Sequence, residues 1–401
     1  MQKRFTPDEG GVFPEWEEVT LGKIAEFSRG KGLTKKDVAE NGKKKCLLYG
    51  QLQVKYGTII KNVTGMTDAE IKNPVLSKAG DVLISGTISA GLAKASCIKE
   101  DGVIIGGDIN ILRPKEGIDG EFLARVINAN TKKFKRFLEG SVILHLKNEN
   151  IKEISIKIPK SIEEQRKIAA ALAAYDEMIA VKTAKLEVWQ ECKKRMVKEI
   201  FDRTKRFKDN DGKEFPEWEE KTLGEVAEIL KNNVNPQNNK NDSFTEYSMP
   251  AYDNEQTAEV MLGAAMKSSR KKMTKPVVLV NKLNVRKKRV WKVSNPESNA
   301  VCSAEFVPLA SDDMDLDFLQ QLCETDGFTK YLMKNTTGTA NSLQRVRPEV
   351  ITDYTFKMPC MEEQQKIGSF LAEIDKEIQI QKEFIKTYAE GKKRMMRELM
   401  A

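Results

Sequence analysis

EEQRKIAAALAAYDEMIAVKTAKLEVWQECKKRMVKEIF, residues 163–201, returns 199 positions later as EEQQKIGSFLAEIDKEIQIQKEFIKTYAEGKKRMMRELM, residues 362–400. In the first copy large or apolar residues stand at Ile168, Leu172, Tyr175, Ile179, Leu186, Trp189, Met196 and Ile200. With Lys182 and Lys193 as polar members the steps alternate four and three, which is a heptad seam along one helix face. The second copy repeats it at Ile367, Leu371, Ile374, Ile378, Gln381, Ile385, Tyr388, Lys392, Met395 and Leu399, polar interruptions included. Two helices with matched seams are each other's natural partner.

The repeat extends outward from these helices. KRFTPDEGGVFPEWEEVTLGKIAE, from Lys3, reappears as KRFKDNDGKEFPEWEEKTLGEVAE, from Lys205, with 15 of 24 positions identical. Such identity marks a duplication. Trp16 and Trp218, in the two Phe-Pro-Glu-Trp tetrads, read as aromatic anchors of each domain rather than functional groups. Between frame and helix each half carries short apolar, β-branched runs broken by Gly, Asn and Asp: Leu47 to Tyr49, Gly57 to Lys61, Asp81 to Ser85, Val103 to Ile105 and Ile109 to Leu112, then Val277 to Val280, Val290 to Val293 and Phe306 to Leu309. Helical patterns follow at Gly120 to Leu138 and Asp315 to Met333. The frames agree while the contents differ. Ser161 with Glu164 has capping-box spacing for the first long helix; Cys360 replaces the serine in the second and weakens that cap.

At 401 residues with 40% hydrophobic residues the chain suits two or more domains. A formal charge of +8 is compatible with a polyanionic partner without demonstrating one. The sequence shows no apolar targeting region and no membrane-length run, so a cytoplasmic protein is expected. Cys46, Cys97, Cys192, Cys302, Cys323 and Cys360 form no Cys-x-x-Cys pair, which points to free thiols rather than a disulfide framework or zinc module.

The expected fold is α+β, with two tandem domains of mixed strands and short helices related by a pseudo-twofold axis. The boundaries expected are 1–160 and 204–359 for the domains, and 161–203 and 360–401 for the helices. The first long helix carries the chain from one domain to the other and the second leads back, so they should pair as an antiparallel coiled coil. About 38 residues at about 1.5 Å each make a rod of about 57 Å. A twofold pair of domains at a set separation fits duplex DNA with half-sites on opposite strands. Divergent interiors suit two different half-sequences, although simple drift would leave the same trace.

Pro159-Lys160-Ser161-Ile162-Glu163-Glu164-Gln165-Arg166-Lys167-Ile168 and Pro359-Cys360-Met361-Glu362-Glu363-Gln364-Gln365-Lys366-Ile367, with Gly80-Asp81-Val82-Leu83, Trp16, Leu21-Gly22 and Ser28-Arg29-Gly30-Lys31, resemble the specificity subunit of type I restriction-modification systems. The resemblance runs through the whole chain. It implies two target-recognition domains that read a split DNA sequence, and helices that set the spacer and dock two methyltransferase (modification) subunits, to which restriction (motor and nuclease) subunits add. It places S-adenosylmethionine, ATP and magnesium on those partners and no cofactor in this chain. The second half departs from the pattern, with Pro276-Val277-Val278-Leu279-Val280-Asn281 where a Gly-Asp strand is expected.

Candidate DNA-binding residues are those with phosphate or base-edge chemistry in Gly-, Asn- and Lys-rich loops. In the first half they are Arg29, Lys31, Thr87, Ser89, Ser141, His145 and Lys147. In the second they are Arg270, Lys271 and Lys272, then Asn281, Lys282, Arg286, Lys287 and Arg289, then Thr337, Asn341, Gln344, Arg345 and Arg347. A solvated charged hairpin would carry the same residues at 281–292, and His145, flanked by leucines, also reads as a packed ring. Gln165, Ile168, Trp189, Gln364, Ile367 and Tyr388 are the candidate partner interface, with the helix face bearing Lys182, Lys185, Lys193, Lys194 and Arg195. No Walker A sequence, metal-ligand cluster or Asn/Asp-Pro-Pro-aromatic motif is present, so no intrinsic catalysis is expected. The competing readings are a coiled-coil adaptor that assembles proteins without reading DNA, and a self-sufficient methyltransferase or nuclease.

Overall fold

The computed structural model describes residues 4–88, 94–134, 136, 144–338 and 344–400. It is mixed helix and strand, and it divides into Met1–Val181 with Phe384–Ala401, and Lys182–Glu383. The division falls inside both long helices, so each unit owns the first part of one and the last part of the other.

In the first unit a five-stranded sheet has the order Ala25–Arg29, Ile109–Pro114, Val82–Ser85, Ala95–Ile98, Ile59–Ile60. Val82 and Ile84 face the helix Gly120–Ala129, packing with Phe122, Leu123, Val126 and Ile127. Leu83 and Ile111 point the other way, into a cluster with Leu47, Leu52 and Ile105. Both faces are covered, which is why Val82-Leu83-Ile84 reads as an unbroken apolar run. Gly80 turns with φ +96°, and a Cβ on Gly120 would stand 2.1 Å from its carbonyl oxygen. Asp81 is buried and takes Nε and Nη2 of Arg113, both at 2.8 Å. The Gly-Asp pair is thus a turn plus an anchor.

In the second unit Val277–Asn281 lies between Phe306–Ala310 and Val290–Val293, the position Val82–Ser85 holds between Ile109–Pro114 and Ala95–Ile98. The strand survives without its Gly-Asp start. A second, five-stranded sheet runs Asn233–Val234, Arg270–Lys272, Ala300–Ser303, Ser243–Tyr247, Glu259–Leu262.

Three expectations need correction. The strand near Leu47 is Lys44–Leu47, and Tyr49 opens the helix Tyr49–Val54. The pattern from Gly120 is broken at Asn130 into the helix Gly120–Ala129 and the single helical turn Thr131–Phe134, and Leu138 lies outside the described residues. Asp315 to Met333 is two helices, Leu316–Glu324 and Asp326–Lys334, because the Thr325 hydroxyl accepts from the Phe328 amide at 3.1 Å and caps a new start.

In each unit the first strand pairs with the last strand before a long helix, Glu17–Thr20 with Ser155–Ile158 and Glu219–Thr222 with Thr355–Met358, in matching registers. The helices Ile162–Phe201 and Met361–Met400 have 40 residues each. Within the first unit Asp176 meets Lys392, and within the second Asp375 meets Lys193 at 2.7 Å, the same pair moved by 199 residues. An early residue of one helix faces a late residue of the other, so the coiled coil is antiparallel.

The repeated Glu-Glu-Gln-x-Lys-Ile is a junction. Glu164, fully buried, accepts from Arg4 at 2.9 and 3.1 Å and from the Trp16 indole at 3.2 Å. Glu363, also fully buried, accepts from Arg206 at 2.9 and 3.3 Å and from Trp218 at 2.9 Å. Gln165 donates to the Pro159 carbonyl and accepts from the Asp119 amide; Gln364 does the same with Pro359 and Asp315. Lys167 and Lys366 reach back to the carbonyls of Thr6 and Lys208. Only half of the expected capping box forms: Ser161 Oγ accepts the Glu164 amide at 3.4 Å, but the carboxylate serves Arg4 and Trp16.

Candidate nucleic-acid interface

Each unit opens its main sheet at the end of the central strand, and the candidate loops gather there. In the first unit Thr87–Ile88 pairs with Leu144–His145, and the Leu146 amide donates to the Gly86 carbonyl at 2.9 Å. Arg29, at the end of a neighbouring strand, lies over this loop and binds Asp108 at 2.5 Å. Lys31 is exposed, its amide held by the Ile105 carbonyl. The His145 ring is exposed rather than packed, and among the described residues its strand pairs with 87–88. Lys147 is exposed ahead of the helix Asn148–Lys152. Ser89, Ser141 and Asn341 lie outside the described residues.

The second unit builds the same corner from different residues. The Val346 amide donates to the Lys282 carbonyl at 2.9 Å and the Asn284 amide to the Gln344 carbonyl at 2.8 Å. The stretches 281–292 and 336–347, separate in the sequence, therefore form one surface. Arg286 and Lys287 are exposed at the hairpin tip, Thr337 and Arg347 are exposed beside it, and Arg345 holds Glu305 at 2.9 Å.

Two candidates of this hairpin are spent inside the protein. Asn281 is buried, donating to the Leu283 carbonyl at 2.8 Å and accepting the Arg289 amide at 3.1 Å. Arg289 is buried against Asp253 through a two-bond pair at 2.6 and 2.8 Å, and its guanidinium holds that carboxyl below the usual range. Arg270 is likewise committed to the buried Glu246 and to Ser268. Lys271 is half-buried, and burial, with Lys282 as a like charge nearby, pushes its ammonium pKa down. Lys272, the next residue, is exposed.

Polar atoms without protein partners occur at the same corners. Thr87 Oγ1, Asn110 Oδ1 and Asn148 Oδ1 in the first unit, and Asn284 Oδ1 in the second, are buried without a hydrogen bond among the described residues. The same holds for Arg125 Nε, Gln321 Oε1 and Gln381 Oε1 on the helices, so the feature is not particular to the corners.

Four of the six candidate partner residues are turned inward. Gln165, Ile168, Gln364 and Ile367 are buried in the junctions and cores and offer no outer surface; their repetition was structural. Trp189 packs half-buried on the core of the second unit, and Tyr388 stacks on Phe384 at 6.1 Å. Lys193 belongs to the seam, not the outer face, because Asp375 and Glu324 hold it. Next to it, within the second unit, opens a cleft of about 1050 Å³ lined by Lys194, Lys198, Arg203 and Lys330, with Asp202, Glu324, Asp326 and Asp375 among them and Tyr354 and Phe356 beside; its basic residues outnumber its acidic ones. Among the described residues no cluster of His, Cys, Asp and Glu could hold a metal, and no helix is long and apolar enough to cross a membrane.

Two repeated α+β units, each holding the first part of one long helix and the last part of the other, define a tandem duplication built on an antiparallel helix pair. The chain belongs to the family of the type I restriction modification DNA specificity domain, whose model matches residues 14–188 and 216–387. It is 23% identical over 434 residues to the type I restriction enzyme MjaVIII specificity subunit of Methanocaldococcus jannaschii, covering 100% of this chain and 95% of that protein. It is 31% identical over 134 residues to the MjaIX specificity subunit of the same organism, a match spanning 31% of either protein's length. The S subunit of a type I restriction-modification system from M. genitalium shares the fold, with a TM-score of 0.65 at 14% identity over 99% of both chains. The role of the chain is DNA-sequence specificity within such a system.

Proposed function

We propose that each unit reads one part of a bipartite duplex target and that the chain directs adenine methylation, and restriction, by partner subunits bound to it. The observation that carries this reading is the repeated loop corner: the same sheet end in both units, built from different side chains. Conserved architecture with altered chemistry is what two different half-sequences require. The two methyltransferase subunits dock against the helix pair, and the basic cleft beside Lys194 and Lys330 supports a contact with an acidic partner segment. S-adenosylmethionine, ATP and magnesium then belong to the partners, and this chain supplies no catalytic group.

Selection from a random duplex pool by the chain together with its methyltransferase subunits tests the proposal. Enrichment of a split sequence is expected. Failure to enrich any sequence, with the assembly intact, would favour the adaptor reading instead.

A further inference from the structure

The two loop corners share one feature that neither the repeat nor the family describes. Asp108 precedes the strand Ile109–Pro114, and Glu305 precedes the equivalent strand Phe306–Ala310. Each uses its carbonyl to accept from the loop beside it, Gly86 N at 2.6 Å for Asp108 and Lys282 N at 2.9 Å for Glu305. Each also uses its carboxylate to hold an exposed arginine. The arginines come from unrelated places: Arg29 from the first strand of its sheet, Arg345 from the loop after the helix Asp326–Lys334. The first unit's pair is 48% and 44% exposed and the second's 53% and 27%, so neither is a buried structural ion pair.

An exposed pair of this kind adds little to stability, yet it has been built twice from different parts. We propose that Asp108 and Glu305 are specificity-determining residues that keep Arg29 and Arg345 for base edges. This rests on the DNA-reading function above. A free guanidinium at a DNA surface binds any phosphate, whatever the sequence. With a carboxylate beside it, phosphate approach is repelled and the fork is fixed in direction. Guanine, with O6 and N7 acceptors, still fits that fork, and the carboxylate's remaining lone pairs suit the amino group of a neighbouring cytosine or adenine. The pair reads donors and acceptors together, and one such pair serves each part of the target.

The test uses the full chain assembled with its methyltransferase subunits and the duplex selected from a random pool. Affinity for that duplex and for a scrambled one is measured against salt for wild type, Asp108→Asn, Glu305→Gln and Arg345→Lys. In Glu305→Gln, preference for the selected duplex should fall about tenfold or more, with the loss confined to one part of the target. Its binding to scrambled DNA should rise, and the salt slope should steepen by about one. Asp108→Asn should do the same for the other part only. Arg345→Lys keeps the charge but loses the fork, so it should lose preference with the slope unchanged. Wild-type preference and slope in both carboxylate variants would overturn the inference while leaving DNA reading intact. A wild-type assembly that selects no sequence would overturn both.

Discussion

Glu363 shows how much of this protein hangs on single buried charges. Its side chain has no exposure and receives a guanidinium and an indole at once. Glu363→Gln removes the charge and leaves Arg206 the exposed Glu217 as its carboxylate, beside the Phe215 and Pro216 carbonyls, so we expect a loss of about 3 kcal/mol in urea unfolding. Asp176 adds a pH signature. Burial works against its ionisation, but Lys392 and Arg125 outweigh that and hold its carboxyl below the usual range. A depressed folded pKa contributes stability that is full above the ordinary carboxylate range and is lost as pH falls through the folded value. The unfolding midpoint of wild type should therefore exceed that of Asp176→Asn at neutral pH, with the difference vanishing in acid. A gap that stayed constant as the pH falls through and well below the ordinary carboxylate range would deny Asp176 this part. None of these partners could be read from sequence. Arg4, Arg206 and the two glutamates stand in plain repeated motifs, but nothing local says that residues 160 apart meet. The repeat of Lys-Arg-Phe together with Glu-Glu-Gln was the available signal: identical polar residues kept in both frames have a shared partner to satisfy.

At the scale of elements, the helix pair was the most legible part. A heptad seam is a local pattern, and both 40-residue helices begin one residue before the repeat suggests. Of its two polar interruptions the structure accounts for one: Lys193 and, in the second copy, Lys392 meet the carboxylates of Asp375 and Asp176 on the opposite helix. Strands buried on both faces were also legible, since Val277-Val278-Leu279-Val280 can be little else. The helix break at Thr325 is hidden in the sequence although Thr-Asp-Gly is an N-cap signal, because buried apolar residues stand close on both sides of it, Leu322 and Cys323 before and Phe328 and Leu332 after. The proposed function makes one demand at this scale. Inserting seven residues into both long helices keeps the seam in phase, so the spacer between the two recognised parts should lengthen with both parts unchanged. Methylome sequencing of the host reads this directly; altered parts at an unchanged spacing would refute it.

For the whole molecule, the frame was legible and the recognition surface was not. The duplication, its cyclic order and the α+β content follow from residues that recur. The loop corners are assembled from residues that do not recur and that lie far apart, such as Arg29 with Asp108 or Leu283 with Arg345. Of the candidate contacts, Asn281 and Arg289 have the right chemistry for DNA but face inward, a distinction that only burial can make.

The first unit's core is closed by Leu399, with Met395 and Met396 packed beside it, against Ile168 and Leu172. A ribosome therefore finishes the second unit, Lys182–Glu383, before it has made the last piece of the first. The N-terminal unit must wait through the synthesis of about half the chain with an apolar helix face uncovered. Ending the chain after Glu383 should leave the second unit resistant to brief proteolysis while the first is cut, and a separate peptide of residues 384–401 should restore its protection. Equal resistance of both units in the shortened chain would show that the first does not need its final strip.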